Sequence, residues 1–251
     1  DVVEGVASRD RETVTLEPSA RATGNTYFGR FPASYWQRWT TVRSVTVEAV
    51  VSGSGTLKVR ASDVAGDTRT VAAESMTDVV QRTVTLEAKL DKFVDGGGLW
   101  LDLETDAMER LTVSAVRWTV DAPETVRPTA VTICTMNRAD DCLSNLRTLA
   151  DSLPALETLD AIYVADQGTD TVDSRDGFAE VDAALGDKLK YVKQPNLGGA
   201  GGFTRGLYEV AGQAAGDHAN VLFMDDDVLL EPDIVIRLTA FSNKAANPMI
   251  V

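Results

Sequence analysis

Histidine and cysteine are almost missing from this chain: 251 residues include one histidine, His218, and two cysteines, Cys134 and Cys142. Two thiols and one imidazole make neither a structural zinc site nor a histidine cluster, and a Ser-His-Asp triad would have to use His218. A disulfide framework is excluded, and so few cysteines favour a reducing compartment. Long apolar runs are missing too, since nothing approaches the roughly 18 residues of a membrane-spanning helix. Basic residues are in deficit, with 24 Lys and Arg against 38 Asp and Glu, a net charge of −14. Such a chain lacks the clustered cations of a generic nucleic-acid binder, so nucleic acid is not an expected partner. A polyanion such as a nucleotide would have to be held locally, by backbone N–H groups, one or two arginines, or a metal ion. What remains is ordinary for a globular protein: 44% hydrophobic and 25% charged residues, enough for one large domain or two of about 125 residues. The chain opens on Asp1 rather than Met and stops at Val251 in an apolar run, so both ends are expected to be trimmed.

Residues 1–122 read as strands. Thr13–Glu17, Ser44–Val51, Thr56–Ala61, Arg82–Leu90, Leu99–Glu104 and Leu111–Val120 are rich in Val, Thr and Leu, and Val45, Val47 and Ala49 alternate with Thr46 and Glu48. Ser52-Gly-Ser-Gly55 predicts a hairpin turn, and Gly96-Gly-Gly98 another break. Many short strands without a convincing helix predict an all-β sandwich or jelly roll. Residues 27–39 (YFGRFPASYWQRW) hold six of the sixteen aromatic residues. They serve either as core and interface plug or as a platform on which sugars stack.

Residues 123–128, between Pro123 and Pro128, read as a linker, and from Thr129 to Val251 strand and helix alternate. Strands are predicted at Thr129–Thr135, Asp160–Ala165, Leu189–Lys193 and Asn220–Met224, with a fifth starting at Met249. Helices are predicted at Asp141–Leu153, with Leu143, Leu146, Leu149 and Leu153 on one stripe, at Phe203–Ala215, and after Glu231-Pro232. This alternation predicts a doubly wound, mostly parallel sheet with ligands beyond the carboxyl ends of its strands.

Polar and glycine residues gather at those ends. Thr135, Asn137 and Arg138 follow the first strand, Asp166 and Gln167 the second, Asn196–Gly202 (NLGGAGG) the third, and Asp225-Asp226-Asp227 the fourth. Three carboxylates after an apolar strand repel one another unless a cation intervenes. In extended chain Asp225 and Asp227 share a side, and hard oxygen ligands suit Mg²⁺ or Mn²⁺; an Asp-rich turn capping the next helix is the plainer alternative. The glycines, Gly198 and Gly199 among them, let backbone approach a ligand before a helix N-terminus that favours anions, or else form a flexible turn. Arg138 could pair with phosphate or cover a base, or remain solvated. Asp166 could accept from a uracil imide or a ribose hydroxyl, or cap a helix. His218 reads as a surface loop residue, Cys134 as core and Cys142 as a helix residue.

These segments (TMNR, ADQG, QPNLGGAGGFTRG and FMDDDVLLEPD) resemble the family 2 glycosyltransferases of the GT-A fold. Within them the likeness is to the galactofuranosyltransferases that polymerise actinobacterial cell-wall galactan. The upstream FPASYWQRWT resembles the β-sandwich that precedes the catalytic domain in that group and is absent from ordinary GT-A enzymes. The resemblance implies inverting transfer from UDP-galactofuranose to a lipid-linked galactan, a divalent metal, peripheral attachment at the cytoplasmic face of the plasma membrane, and a homo-oligomer. It implies that Thr135, Asn137, Arg138, Asp166, Gln167 and Asn196 contact UDP or shape its pocket. By the same likeness Asp225 and Asp227 hold the metal and Asp226 lies near the donor sugar or ribose. The group's catalytic base and histidine metal ligand fall further along than Val251. Two other readings stay open: a GT-A transferase using a pyranose donor, and a glycan-binding module fused to a degenerate transferase domain.

Overall fold

A computed structural model describes residues 1–213 and 219–250. His218 and Ala214 lie outside the described residues. The chain divides into two compact units, one of Asp1–Ala122 with Lys244–Asn247, the other of Pro123–Asn243 with the residues from Pro248 onward.

The first unit holds β1 (Val2–Glu4), β2 (Ala7–Arg9), β3 (Thr13–Leu16), β4 (Arg21–Thr23), β5 (Ser44–Ser62), β6 (Thr68–Lys89), β7 (Leu99–Thr105) and β8 (Leu111–Thr119). All pair antiparallel in the order β1-β4-β7-β5-β8-β3-β2, with β6 along the other edge of β5. The expected alternation holds, for Val45, Val47, Ala49 and Val51 are all buried. The hairpin expected at Ser52–Gly55 does not form. Instead β5 runs through it, pairing with β8 over Thr46–Gly53 and with β7 over Gly55–Ala61, its register shifting at Gly53 and Gly55. Gly53 has φ +103°, and a Cβ there would lie 1.9 Å from the Arg110 carbonyl oxygen, so the glycine lets two backbones touch where the strand bends. The reversal falls later, between β5 and β6, where Asp63 Oδ1 accepts from the N–H groups of Ala65 and Asp67, each at 3.0 Å.

A helix that periodicity did not predict, α1 (Ala33–Trp39), sits in the aromatic segment. It splits the six rings. Phe31 and Trp36 are buried and stacked, with centroids 5.3 Å apart, and Phe31 also stacks on Trp118 at 5.5 Å. Tyr27, Phe28, Tyr35 and Trp39 are exposed.

The second unit holds β9 (Thr129–Thr135), α2 (Ala139–Ala150), α3 (Leu153–Thr158), β10 (Ala161–Asp166), α4 (Phe178–Leu185), β11 (Leu189–Lys193), α5 (Gly198–Gln213), β12 (Asn220–Asp225) and α6 (Asp233–Lys244). Its sheet is parallel, ordered β11-β10-β9-β12. The two faces of β9 divide the layers. Val131 and Ile133 pack with Cys142, Leu143, Leu146 and Leu149 of α2, while Ala130 joins Tyr163 and Val210 on the face that α5 covers.

Several expectations about the elements need correction. Leu153 leaves the α2 stripe, since α2 ends at Ala150 and Leu153 opens α3, exposed. The α5 helix begins at Gly198, five residues before the expected Phe203, and two of its glycines are packing positions against the sheet. A Cβ at Gly202 would lie 2.1 Å from Cys134 Sγ, and one at Gly206 2.6 Å from Thr132 Cβ. Gly202, Gly206 and Val210 recur every fourth residue as the buried stripe, whereas Leu207 is exposed. Finally, Met249 and Ile250 form no strand.

Candidate functional site

Register fixes where the strands of the parallel sheet end. Asp166 lies beside Thr135 of β9 and Lys193 of β11, and Asp225 beside Cys134. The expected residues therefore meet at one edge, the carboxyl edge at which ligands of doubly wound sheets bind.

The turn at Asn196–Leu197 is tied to the sheet by Gln167, a buried side chain. Its Oε1 accepts from the N–H of Leu197 at 2.7 Å and from Gln194 Nε2 at 3.2 Å. Its Nε2 donates to the Gly198 carbonyl and approaches Cys134 Sγ, both at 3.1 Å. Asn196 Oδ1 accepts from the Gly198 N–H at 2.9 Å. Gly198, at φ +70°, and Gly199 face open space, with no atom within 4 Å of a Cβ built on either. That is backbone which a ligand can approach, unlike the packed Gly202 and Gly206 beyond it. Burial, with added repulsion from Asp226 and Asp225, holds the Cys134 thiol above its usual pKa despite the Gln167 contact.

Asn137 and Asp166 both organise the loop after β10. Asn137, at φ +56°, accepts through Oδ1 from the N–H groups of Thr169 at 2.8 Å and Asp170 at 3.0 Å. The buried Asp166 accepts from Gly168 N–H on Oδ1 and Val172 N–H on Oδ2, each at 2.9 Å, and from the Tyr191 hydroxyl. Burial and the adjacent Asp166 carboxylate push the Tyr191 hydroxyl well above the ordinary phenol range, so it stays a donor. Arg175 grips Asp170 in a two-pronged pair at 2.6 Å and reaches Asp140 at 2.7 Å, which holds Asp170 below the usual carboxylate range.

The aspartate run lies half inside and half outside the sheet. Asp225 ends β12, and Asp226 and Asp227 form a turn. The strict alternation expected of an extended segment therefore stops at Asp225. Arg138, flanking α2, stands 3.3 Å from Asp227 Oδ2 and 3.3 Å from Asp141. From the buried side, Asn145 of α2 donates through Nδ2 to the Asp226 carbonyl at 2.8 Å. The sequence gives no cue to Asn145 except an amide within a leucine stripe. Thr135 is buried, and its hydroxyl has no hydrogen-bond partner. Among the described residues no group of three or more His, Cys, Asp or Glu is disposed to hold a metal.

A parallel α/β sheet with glycine and aspartate loops at its carboxyl edge has the layout at which doubly wound sheets bind ligands, and comparison with known proteins narrows the class. Residues 127–249 match the family model described as glycosyltransferase like family 2. Residues 2–121 match another, galactofuranosyltransferase 2 N-terminal. Both halves are matched in that order, so the chain is similar to galactofuranosyltransferase 2 along its N-terminal half and to family 2 glycosyltransferases along the rest. It is 35% identical to galactofuranosyltransferase GlfT2 of Mycolicibacterium smegmatis over 244 residues, which is 96% of this chain and 37% of that protein. It is 36% identical to galactofuranosyltransferase GlfT2 of Mycobacterium tuberculosis over 243 residues, 96% of this chain and 38% of that one. The chain thus spans little more than a third of the curated relatives it matches.

Proposed function

We propose that this chain is the donor-binding part of an inverting galactofuranosyltransferase that moves galactofuranose from UDP-galactofuranose to a lipid-linked galactan. The observation that carries it is the meeting of the Thr135–Arg138, Asp166–Gln167, Asn196–Gly199 and Asp225–Asp227 loops at one sheet edge. Agreement of both halves with one family supports it. In this reading the open backbone at Gly198 and Gly199 lies against the diphosphate, and Asn196, Gln167 and Thr135 shape the pocket around it. Asn137 and Asp166 set the loop that borders the uridine, and Asp226 faces the donor sugar or ribose.

The donor set suits a hard divalent cation, Mn²⁺ or Mg²⁺. Asp225 and Asp227 are exposed carboxylates, and phosphate oxygens and water complete such a shell. When bound, the cation supplies Lewis-acid stabilisation of charge growing on the leaving diphosphate. Arg138, beside Asp227, is placed to meet the same charge. In the transfer an acceptor hydroxyl attacks the anomeric carbon, the bond from that carbon to the UDP oxygen breaks, and the proton passes to a carboxylate base. No residue of this chain is assigned as that base. The first unit is read as a jelly-roll sandwich, supported by the bent β5, whose two halves pair with different strands. Peripheral association with the membrane and homo-oligomer formation belong to the same reading; no helix among the described residues is long and apolar enough to cross a membrane.

Calorimetric titration of UDP with Mn²⁺, with Mg²⁺ and with EDTA tests the site, followed by turnover of UDP-galactofuranose. Metal-dependent binding is expected, and a folded protein that binds no UDP under any of these conditions overturns the reading. The four exposed aromatic side chains favour a second reading, in which the first unit binds glycan without nucleotide. Loss of galactan binding in Trp39→Ala without UDP or metal would support it.

A further inference from the structure

Helix α2 touches the aspartate run from the inside of the fold. Asn145 is 3% exposed and lies between Leu143 and Leu149 on the apolar face of α2, a position where an unpaired amide costs stability. Its Nδ2 reaches the carbonyl of Asp226, 81 residues away in sequence, at 2.8 Å. One turn earlier on the same face stands Cys142, whose pKa burial pushes up to about 12, with repulsion from Asp226 adding to the rise. The peptide carbonyl that Asn145 holds belongs to the middle residue of the run. Fixing it fixes the backbone from which the Asp225 and Asp227 carboxylates spring.

We infer that Asn145 is a positioning residue for the Asp225–Asp227 carboxylates, a support built into α2 that fixes the backbone carrying them for a divalent cation. The inference rests on the metal-site reading above. It needs no contact between Asn145 and ligand, and it makes α2 the element through which packing of the second unit tunes the site. Partners of this kind orient ligands, and their removal commonly costs about 10- to 100-fold in metal affinity.

The test measures Mn²⁺ binding by electron paramagnetic resonance, with and without UDP, for wild type, Asn145→Ala, Leu149→Ala and Asp225→Ala, with a melting curve for each. Leu149 is fully buried on the same helix, one turn beyond Asn145, and has no polar group to tie to the run, so Leu149→Ala reports destabilisation without loss of the amide bond. The expected result is Mn²⁺ affinity about 10- to 100-fold weaker in Asn145→Ala and within about twofold of wild type in Leu149→Ala, although the latter melts lower. Amide hydrogen exchange in Asn145→Ala should quicken at 225–228 ahead of β9 and β10; it also decides the matter if the variant is too unstable to titrate. Unchanged affinity in Asn145→Ala, or losses in both variants that follow their melting temperatures, overturns the positioning role and leaves the metal site standing. Equal, negligible Mn²⁺ binding by wild type and Asp225→Ala overturns the metal site and the positioning role together.

Discussion

Charge is handled in opposite ways by the two units. In the first, carboxylates on the sheet pair across strands: Lys58 with Glu104 at 2.5 Å, Arg117 with Glu48 at 2.8 Å, Arg110 with Glu17 at 2.9 Å and Arg21 with Glu104 at 3.3 Å. These pairs are largely solvated, worth little in stability, and leave the surface neutral at short range. At the carboxyl edge of the second unit, Asp225, Asp226 and Asp227 stand together, and Arg138, shared with Asp141, stands beside Asp227. A fold selected only for stability would disperse three adjacent carboxylates. Keeping them adjacent, with the backbone of Asp226 held by a buried amide, is what the proposed cation site would need.

Glycines sharpen the contrast. Those of Ser52–Gly55 let a strand bend against its neighbour's backbone, and those of α5 let a helix close on a sheet. Gly53→Val should therefore give the largest effect. It places a β-branched side chain at φ +103° and drives Cβ into the Arg110 carbonyl. The expected cost is above about 3 kcal/mol, adding backbone strain to overpacking, with the loss of soluble folded protein as the readout. Gly202→Ala should cost less, about 1–3 kcal/mol by denaturant titration, because the sulfur of Cys134 can shift where a carbonyl cannot. Equal costs would mean that the bend in β5 is not held as tightly as the α5–β9 contact.

Asp227→Ala comes next and inverts the pattern: function lost, fold kept. Mn²⁺-dependent UDP affinity should fall at least tenfold with the melting temperature within a few degrees of wild type, since Asp227 is exposed and its pairing with Arg138 is solvated. Unchanged affinity would return the run to the same class as the paired carboxylates of the first unit.

These contrasts also show what could be read from sequence. Strands β9 and β11 were legible to the residue, β9 because a central parallel strand is a nearly continuous apolar run bounded by polar ends. So was the edge where the loops gather. The start of α5 was not, since local propensity disfavours glycine in helices and only the close pass of Gly202 and Gly206 over β9 makes them favourable there. The bend in β5 was hidden for the same reason: Ser-Gly-Ser-Gly reads as a turn until the partner strands are known. Helix α1 was hidden by its length, seven residues of which Ala33 and Trp36 alone are buried, too few for a period to stand out. The Asn145 tie joins residues 81 apart, and no local pattern announces it.

The pH dependence of Cys142 is the smallest of these effects and separates burial from charge. Burial comes first and repulsion from Asp226 second in raising the thiol to about 12, against an ordinary value of 9.0. Below pH 9 the thiol is neutral in both folded and unfolded chains, and Cys142 contributes no pH dependence. Between pH 9 and about 12 the unfolded chain ionises and the folded one does not, so stability falls as pH rises, by at most about 1.4 kcal/mol per pH unit from this group. Cys142→Ala removes that slope, so denaturant titrations from pH 8 to 10 should show the wild-type and variant curves converging as pH rises. Parallel curves would mean that the thiolate is tolerated inside the fold and that the Asp226 side of α2 is wetter than its packing suggests. Addition of Mn²⁺ then isolates the charge: a cation on Asp225 and Asp227 offsets the repulsion at Asp226 and should flatten the wild-type slope only slightly, because desolvation, the larger cause, remains.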